Sequence, residues 1–219
     1  MKLQDRLDAF RIAFEAGQLP FKLEASVHGL LRQGIDELIS AEIASNALKV
    51  GDRAPEFILP DTLGNPVSSR QLLAQGPLVV SFYRGSWCPY CNMELQALQA
   101  VLPELRSRHA SLVAISPQLP VNGQQMQQEH DLTFPLLTDS GNSLAAQFGL
   151  RFELADYLVE LYSNSLGLDL TKLNDRSGWT LPIPARFVIA PDGDIIDAEV
   201  NPDYTRRADP GRLVSLLNG

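Results

Sequence analysis

Residues from about 49 onward predict an α/β fold behind an N-terminal helical extension, and three patterns carry that expectation. Leu78-Val79-Val80-Ser81-Phe82-Tyr83 is an unbroken β-branched and aromatic run, as in a strand covered on both faces. Met93, Leu95, Leu98, Val101, Leu102 and Leu105 follow it at helical spacing. Strand and helix patterns then alternate through the rest of the chain, which suits a central mixed sheet flanked by helices.

Taken in order, Leu3, Leu7, Phe10 and Phe14 recur at helical spacing, with Gly17 and Pro20 as the stop. Val27, Leu30, Leu31, Ile35, Leu38 and Ile39 mark a second helix running to about Leu48, where Gly51 and Pro55 break the pattern. Two such helices bury too little surface to offset their ordering entropy. The apolar stripes of this extension, residues 1–48, are therefore expected to lie on the domain that follows, residues 49–219, or on a second subunit in a homodimer.

Gly51, Pro55, Pro60, Gly64 and Pro66 then punctuate short apolar pieces, and Phe57-Ile58-Leu59 with Pro66-Val67 reads as a small hairpin. Leu112 to Ser116 is a strand, Gly123 to His130 a glutamine-rich helix, and Phe134 to Asp139 a short strand with a turn. Helices over Ser143 to Phe148 and Ala155 to Ser163 follow, the second within a polar stretch that reads as an insertion around 150–180. Ile183 to Ala190 and Ile195 to Val200 flank the turn Pro191-Asp192-Gly193-Asp194 as a hairpin. Asp209 and Pro210 are the cap and first residue of a closing helix with Leu213, Leu216 and Leu217 on one face.

A chain of 219 residues, 45% hydrophobic, is long enough for one ordinary domain with a buried core and an appendage. Its net charge of -8, from 26 acidic and 18 basic side chains, excludes a nucleic-acid partner and an anionic membrane surface. Charges fill the first eight residues where a secretory signal needs its apolar core, and no stretch has the length of a membrane span, so a cytoplasmic location is expected. In a reducing cytosol the only two cysteines, Cys88 and Cys91, are not a permanent staple; so close a pair is catalytic, redox-sensing or metal-binding. His28, His109 and His130 are too scattered to complete a zinc site readily, so the residues favour a redox dithiol and call for no metal or other cofactor. The pair sits where a strand becomes a helix, and a helix start lowers a thiol pKa; Ser86 is the candidate cap.

Trp87-Cys88-Pro89-Tyr90-Cys91 after a buried strand resembles the thioredoxin-fold active site. Gly51-Asp52-Arg53-Ala54-Pro55-Glu56-Phe57, Phe82-Tyr83-Arg84-Gly85, Phe134-Pro135-Leu136-Leu137-Thr138-Asp139 and Phe187-Val188-Ile189 resemble the peroxiredoxin branch, the alkyl hydroperoxide reductase and thiol-specific antioxidant (AhpC/TSA) family, from about Lys49 to Asp209. The resemblance implies a thioredoxin-like three-layer fold and thiol-dependent redox chemistry. It also exposes a departure. The family pattern is Pro-x-x-x-Thr-x-x-Cys with the reactive cysteine last; with Cys91 there, Arg84 stands at the Pro and Cys88 at the Thr. The family's strand arginine falls on Pro184, with Arg186 nearby but offset, and in thioredoxins that place holds a cis-proline, so a cis Ile183-Pro184 bond is expected.

The expected chemistry is a cycle that ends in a Cys88–Cys91 disulfide. In one version Cys88, at an exposed helix start, is the thiolate that attacks a disulfide, and Cys91 resolves the mixed disulfide. In the other, Cys91 is oxidised by a hydroperoxide to a sulfenic acid and Cys88 condenses with it. Either needs a thiol electron donor of the thioredoxin or glutathione type; a third reading is a non-enzymatic redox-sensing or interaction protein. Pro89 and Tyr90 stiffen the loop, and Trp87 packs beside the sulfurs. Glu94, one turn beyond Cys91, is a replacement base or a helix-dipole partner, since Phe82 occupies the place of the buried thioredoxin aspartate. Arg84 balances the thiolate, steers an anion or is solvated, and Asn201 to Arg207 is a substrate rim or a capped loop.

Overall fold

A computed structural model describes residues 2–19 and 24–217, so Pro20, expected to stop the first helix, lies outside the described residues. The central element is β3 (Leu78–Phe82), every residue of which is buried. It pairs in parallel with β4 (Ser111–Ser116) and antiparallel with β8 (Ala185–Ile189), and β5 (Leu136–Thr138) and β9 (Ile195–Val200) complete a five-stranded mixed sheet of order β5-β4-β3-β8-β9. The smaller expected hairpin forms from β1 (Ile58–Pro60) and β2 (Pro66–Ser68).

Strand alternation divides the core. Leu78, Val80 and Phe82 join Val113, Ile115, Phe187 and Phe148 on one face, whereas Val79 and Tyr83 join Leu95, Leu98, Leu102 and Leu105 of the long helix on the other. Counting helices from the N-terminus, α1 is Leu3–Glu15, α2 Ala25–Ser40, α3 Ser69–Leu73, and this long helix, α4, Pro89–Ser107. Next come α5 (Pro120–Glu129), which starts earlier than expected because Pro120 suits a first helical position, and α6 (Ser143–Gln147). The second helix is shorter than its periodicity suggested. Glu42 adopts a left-handed conformation (φ 50°), and one 3-10 turn, Ile43–Asn46, replaces the expected continuation.

The extension's stripes are covered within the chain where they are most apolar. Leu3 and Leu7 enter the core cluster that contains the α4 leucines, and Val27 and Ile35 of α2 are also buried. Ile12 and Ile39 stay exposed. The segment read as an insertion carries β6 (Arg151–Glu153), α7 (Asp156–Glu160), a π turn at Leu161–Ser165, α8 (Leu170–Leu173) and β7 (Thr180–Pro182), with β6 and β7 paired antiparallel. Leu31 of α2 packs on this segment's own cluster, and the Tyr157 hydroxyl donates to Glu37 at 2.7 Å. The closing helix α9 (Gly211–Leu216) starts one residue later than expected, with Pro210 rather than Asp209 at the cap position, while the Asp209 carboxylate accepts the Gly211 amide at 2.9 Å and the Leu3 amide at 3.1 Å. Among the described residues no helix is long and apolar enough to cross a membrane.

Because Leu7 is fully buried against α4, the extension belongs to the cooperative core. Leu7→Ala is expected to cost about 2–5 kcal/mol in urea unfolding while leaving one transition; a separate early transition would show that α1 melts on its own.

Candidate active site

The β3–α4 junction is built by a tight turn. Gly85 has φ 153°, and a Cβ there would lie 2.5 Å from the Trp87 indole nitrogen, so only glycine lets the indole fold back over the turn. The Cys88 amide donates to the Gly85 carbonyl at 3.1 Å, Cys88 becomes the N-cap of α4, and Pro89 takes the first helical position. Ser86 is not the cap. Its amide donates to Gln118 Oε1 at 2.8 Å, its carbonyl accepts from Asn92 Nδ2 at 2.9 Å, and Gln118 Nε2 donates to the Tyr83 hydroxyl at 2.8 Å. Gln118 thus ties the turn to the end of β4, a role that nothing in its sequence surroundings signals.

Both sulfurs are buried, Cys88 at 2% exposure and Cys91 at zero, which corrects the expectation of an exposed Cys88. The cause is the cover. Phe10 and Phe14 of α1, Leu31 of α2, Tyr162, Leu166 and Leu168 wall an apolar cavity of about 370 Å³ bordered by Cys88, Pro89 and Tyr90. Cys91 does not line this cavity. Pro89 is exposed, while Tyr90 is buried with its ring edge-on to Phe10 (5.3 Å) and Tyr204 (5.7 Å).

Burial works against a charged Cys88, but the Cys91 thiol and amide hydrogen-bond to its sulfur and the Arg84 and Arg207 charges attract it, bringing its pKa down to about 6. Cys91 goes the other way. Burial, its hydrogen bond to Cys88 and the Cys88 charge push it well above the ordinary thiol range. One proton is therefore shared unequally: Cys88 carries the charge and Cys91 keeps the hydrogen.

Arg84, open in the sequence between a solvated and a charge-balancing role, is 4% exposed. Its guanidinium lies 4.0 Å from the Tyr204 ring centre, 4.7 Å from Trp87 and 5.8 Å from Tyr162, and it donates to the Tyr162 hydroxyl. Its Nε has no partner among the described residues. Trp87 in turn packs edge-on to Tyr162, at 5.6 Å.

Glu94 is buried in an ion pair with Arg207, Oε2 to Nε at 2.5 Å, and Arg207 Nη2 reaches to 3.9 Å from Cys91 Sγ. The group that reaches Cys91 is thus the arginine, which the sequence left in an unassigned loop. That loop is clamped by α1. Gln4 Oε1 accepts the Arg207 amide at 2.9 Å, and Gln4 Nε2 donates to the Thr205 carbonyl at 3.2 Å. Pro184 borders a small polar cavity of about 60 Å³ together with Glu94, Arg186 and Arg207. The expected cis bond is absent, since the described residues contain no cis peptide. Ile183 and Pro184 link the end of β7 to the start of β8, with the Ile183 amide donating to the Leu150 carbonyl at 2.8 Å, and the bond between them is trans, the ordinary state of an X–Pro bond. Among the described residues no three His, Cys, Asp or Glu side chains converge as a metal site requires.

The description of one family, AhpC/TSA, matches residues 50–198. The chain belongs to the AhpC/TSA family. The peroxiredoxin Bcp of Escherichia coli is 32% identical over 105 residues, 48% of this chain and 67% of that protein. The crystal structure of peroxidoxin BcpB from Mycobacterium tuberculosis superposes with a TM-score of 0.61 at 25% identity, covering 78% of this chain and 97% of that one. The thiol-disulfide oxidoreductase ResA of Halalkalibacterium halodurans is 26% identical over 106 residues, 47% of this chain and 58% of that protein. The AhpC/TSA match leaves out α1, α2, Tyr204 and Arg207, so four contributors to the cysteine surroundings come from outside the family segment.

Alkylation of the reduced protein by iodoacetamide is expected at Cys88 before Cys91, with a pH midpoint near 6. Arg84→Met or Arg207→Met should move that midpoint upward and slow alkylation at pH 6 about tenfold. A midpoint in the free-thiol range would show that the two charges do not act on the sulfur.

Proposed function

We propose that this AhpC/TSA protein is a thiol peroxidase whose Cys88 thiolate attacks a hydroperoxide and whose Cys91 thiol resolves the product. The observation that carries the reading is the division between the two sulfurs: Cys88 holds the negative charge and borders the cavity, while Cys91 is protonated and sealed beneath it. In the first step the Cys88 thiolate takes the outer oxygen of ROOH with its hydrogen, the O–O bond breaks, and the departing RO⁻ takes a proton from water and leaves as ROH, giving a Cys88 sulfenic acid. In the second, Cys91 sulfur attacks Cys88, the S–O bond breaks, water leaves with the Cys91 proton, and the disulfide forms. A thiol donor then returns both sulfurs to the reduced state, as a reducing cytoplasm allows.

Arg84 supports the first step by placing fixed positive charge beside the attacking sulfur, with its unpartnered Nε available as a donor to a peroxide oxygen. Arg207, held by Glu94, supports the second by favouring the Cys91 thiolate as its proton departs. This assignment exchanges the roles that the family pattern suggested for a peroxide reaction, because in this chain the polar Thr place is itself a cysteine and lies nearer the cavity.

Sulfenic acid trapping decides the assignment. Cys91→Ser treated with one equivalent of hydrogen peroxide should give a dimedone adduct at Cys88, and Cys88→Ser should lose at least about a thousandfold in the first-turnover rate. An adduct at Cys91 in Cys88→Ser, formed at the wild-type rate, would reverse the two roles. Absence of peroxide consumption, with rapid reduction of an insulin-type disulfide, would place the protein with disulfide reductases instead.

A further inference from the structure

The disulfide must be reduced after each turnover, and the approach to it restricts the reductant. In the dithiol form Cys91 is sealed and Cys88 shows 2% of its surface, at the floor of the cavity walled by α1, α2 and residues 162–168. Thiol–disulfide exchange needs an incoming sulfur at bonding distance and in line with the S–S bond. A cysteine on a folded protein brings its backbone and neighbouring side chains with it, whereas a cavity of about 370 Å³ is of small-ligand size.

We propose that the reductant is a compact low-molecular-weight thiol that enters this cavity, and that α1, α2 and the 161–168 segment bar protein dithiols from the disulfide. This rests on the disulfide cycle proposed above. The thiolate RS⁻ attacks Cys88 Sγ, the Cys88–Cys91 bond breaks, and Cys91 leaves with the electron pair and takes up a proton. A second RS⁻ attacks the R sulfur of the mixed disulfide, releasing RSSR and the Cys88 thiolate, so two thiols supply the two electrons. Arg207, 3.9 Å from Cys91, neutralises the departing sulfur, which suits attack on Cys88 rather than on Cys91. The walls are mostly apolar, with Arg84 as the one cationic side chain in the lining among the described residues. A neutral thiol, or one with a net charge of about one negative unit, matches that lining.

The test starts from protein oxidised by one equivalent of diamide, so that it does not depend on peroxide turnover. The disulfide is offered dithiothreitol, glutathione, or thioredoxin with its reductase and NADPH, and returning thiols are counted by alkylation. The small thiols should reduce it, and thioredoxin should act at least about a hundredfold more slowly than on insulin. Leu31→Trp, and separately Ser165→Trp at the rim, should slow the small thiols about tenfold without altering circular dichroism. Reduction by thioredoxin at an insulin-like rate, or small-thiol rates unchanged in both tryptophan variants, would overturn the proposal. Failure of diamide to join Cys88 to Cys91 would overturn the cycle and this inference with it.

Discussion

Holding a negative charge on a sulfur almost wholly withdrawn from water is the constraint on which the rest of the site depends. Burial alone would keep both thiols protonated. Two side-chain cations oppose it, Arg84 beside Cys88 and Arg207 beside Cys91, and each would be costly to bury by itself. Glu94 compensates the second through a direct ion pair, while three aromatic faces and the Tyr162 hydroxyl accommodate the first. The sulfur pair, the arginines and their partners form one electrostatic unit, in which removing any member leaves another buried and uncompensated.

The extension serves this unit mechanically. Leu3 and Leu7 anchor α1 on α4, the helix that begins at the cysteines, and Gln4 then fixes the backbone of the loop that carries Tyr204 and Arg207. A change in packing at the N-terminus is thereby coupled to the position of a charge next to Cys91. The same helix supplies Phe10 and Phe14 to the cavity, so one element both gives the site its apolar wall and aligns its electrostatics.

Much of the fold was legible because it rests on local patterns. The continuous run at Leu78 to Tyr83, the leucine period beyond Cys91 and the hairpin around Asp192-Gly193 each state their structure through spacing and turn chemistry. The cysteines were legible for the same reason. Arg207, Gln118 and Tyr162 were not, since each acts through a contact between positions at least 32 apart, and no local pattern distinguishes a buried arginine from a solvated one. Arg84 shows the limit clearly: its sequence neighbourhood suits a surface turn, yet aromatic rings from residues 162 and 204 enclose it. The cis-proline expectation failed because it was carried over from a family arrangement, and no local pattern around Ile183-Pro184 specifies the bond.

The wide spacing of the contributors along the chain has a consequence for how such chemistry can be moved between proteins. Trp87 to Cys91 is a contiguous pentapeptide and could be grafted onto any relative of the same fold. Its cation at Cys91 and the glutamine that steadies it lie 116 residues downstream and 87 residues upstream, both beyond the span shared with the family. A graft of the pentapeptide would transfer the two thiols and their mutual hydrogen bond without the arginine charges that add to the difference between them. The reactive property of this motif is thus not portable with the motif; it belongs to the assembled ends of the chain.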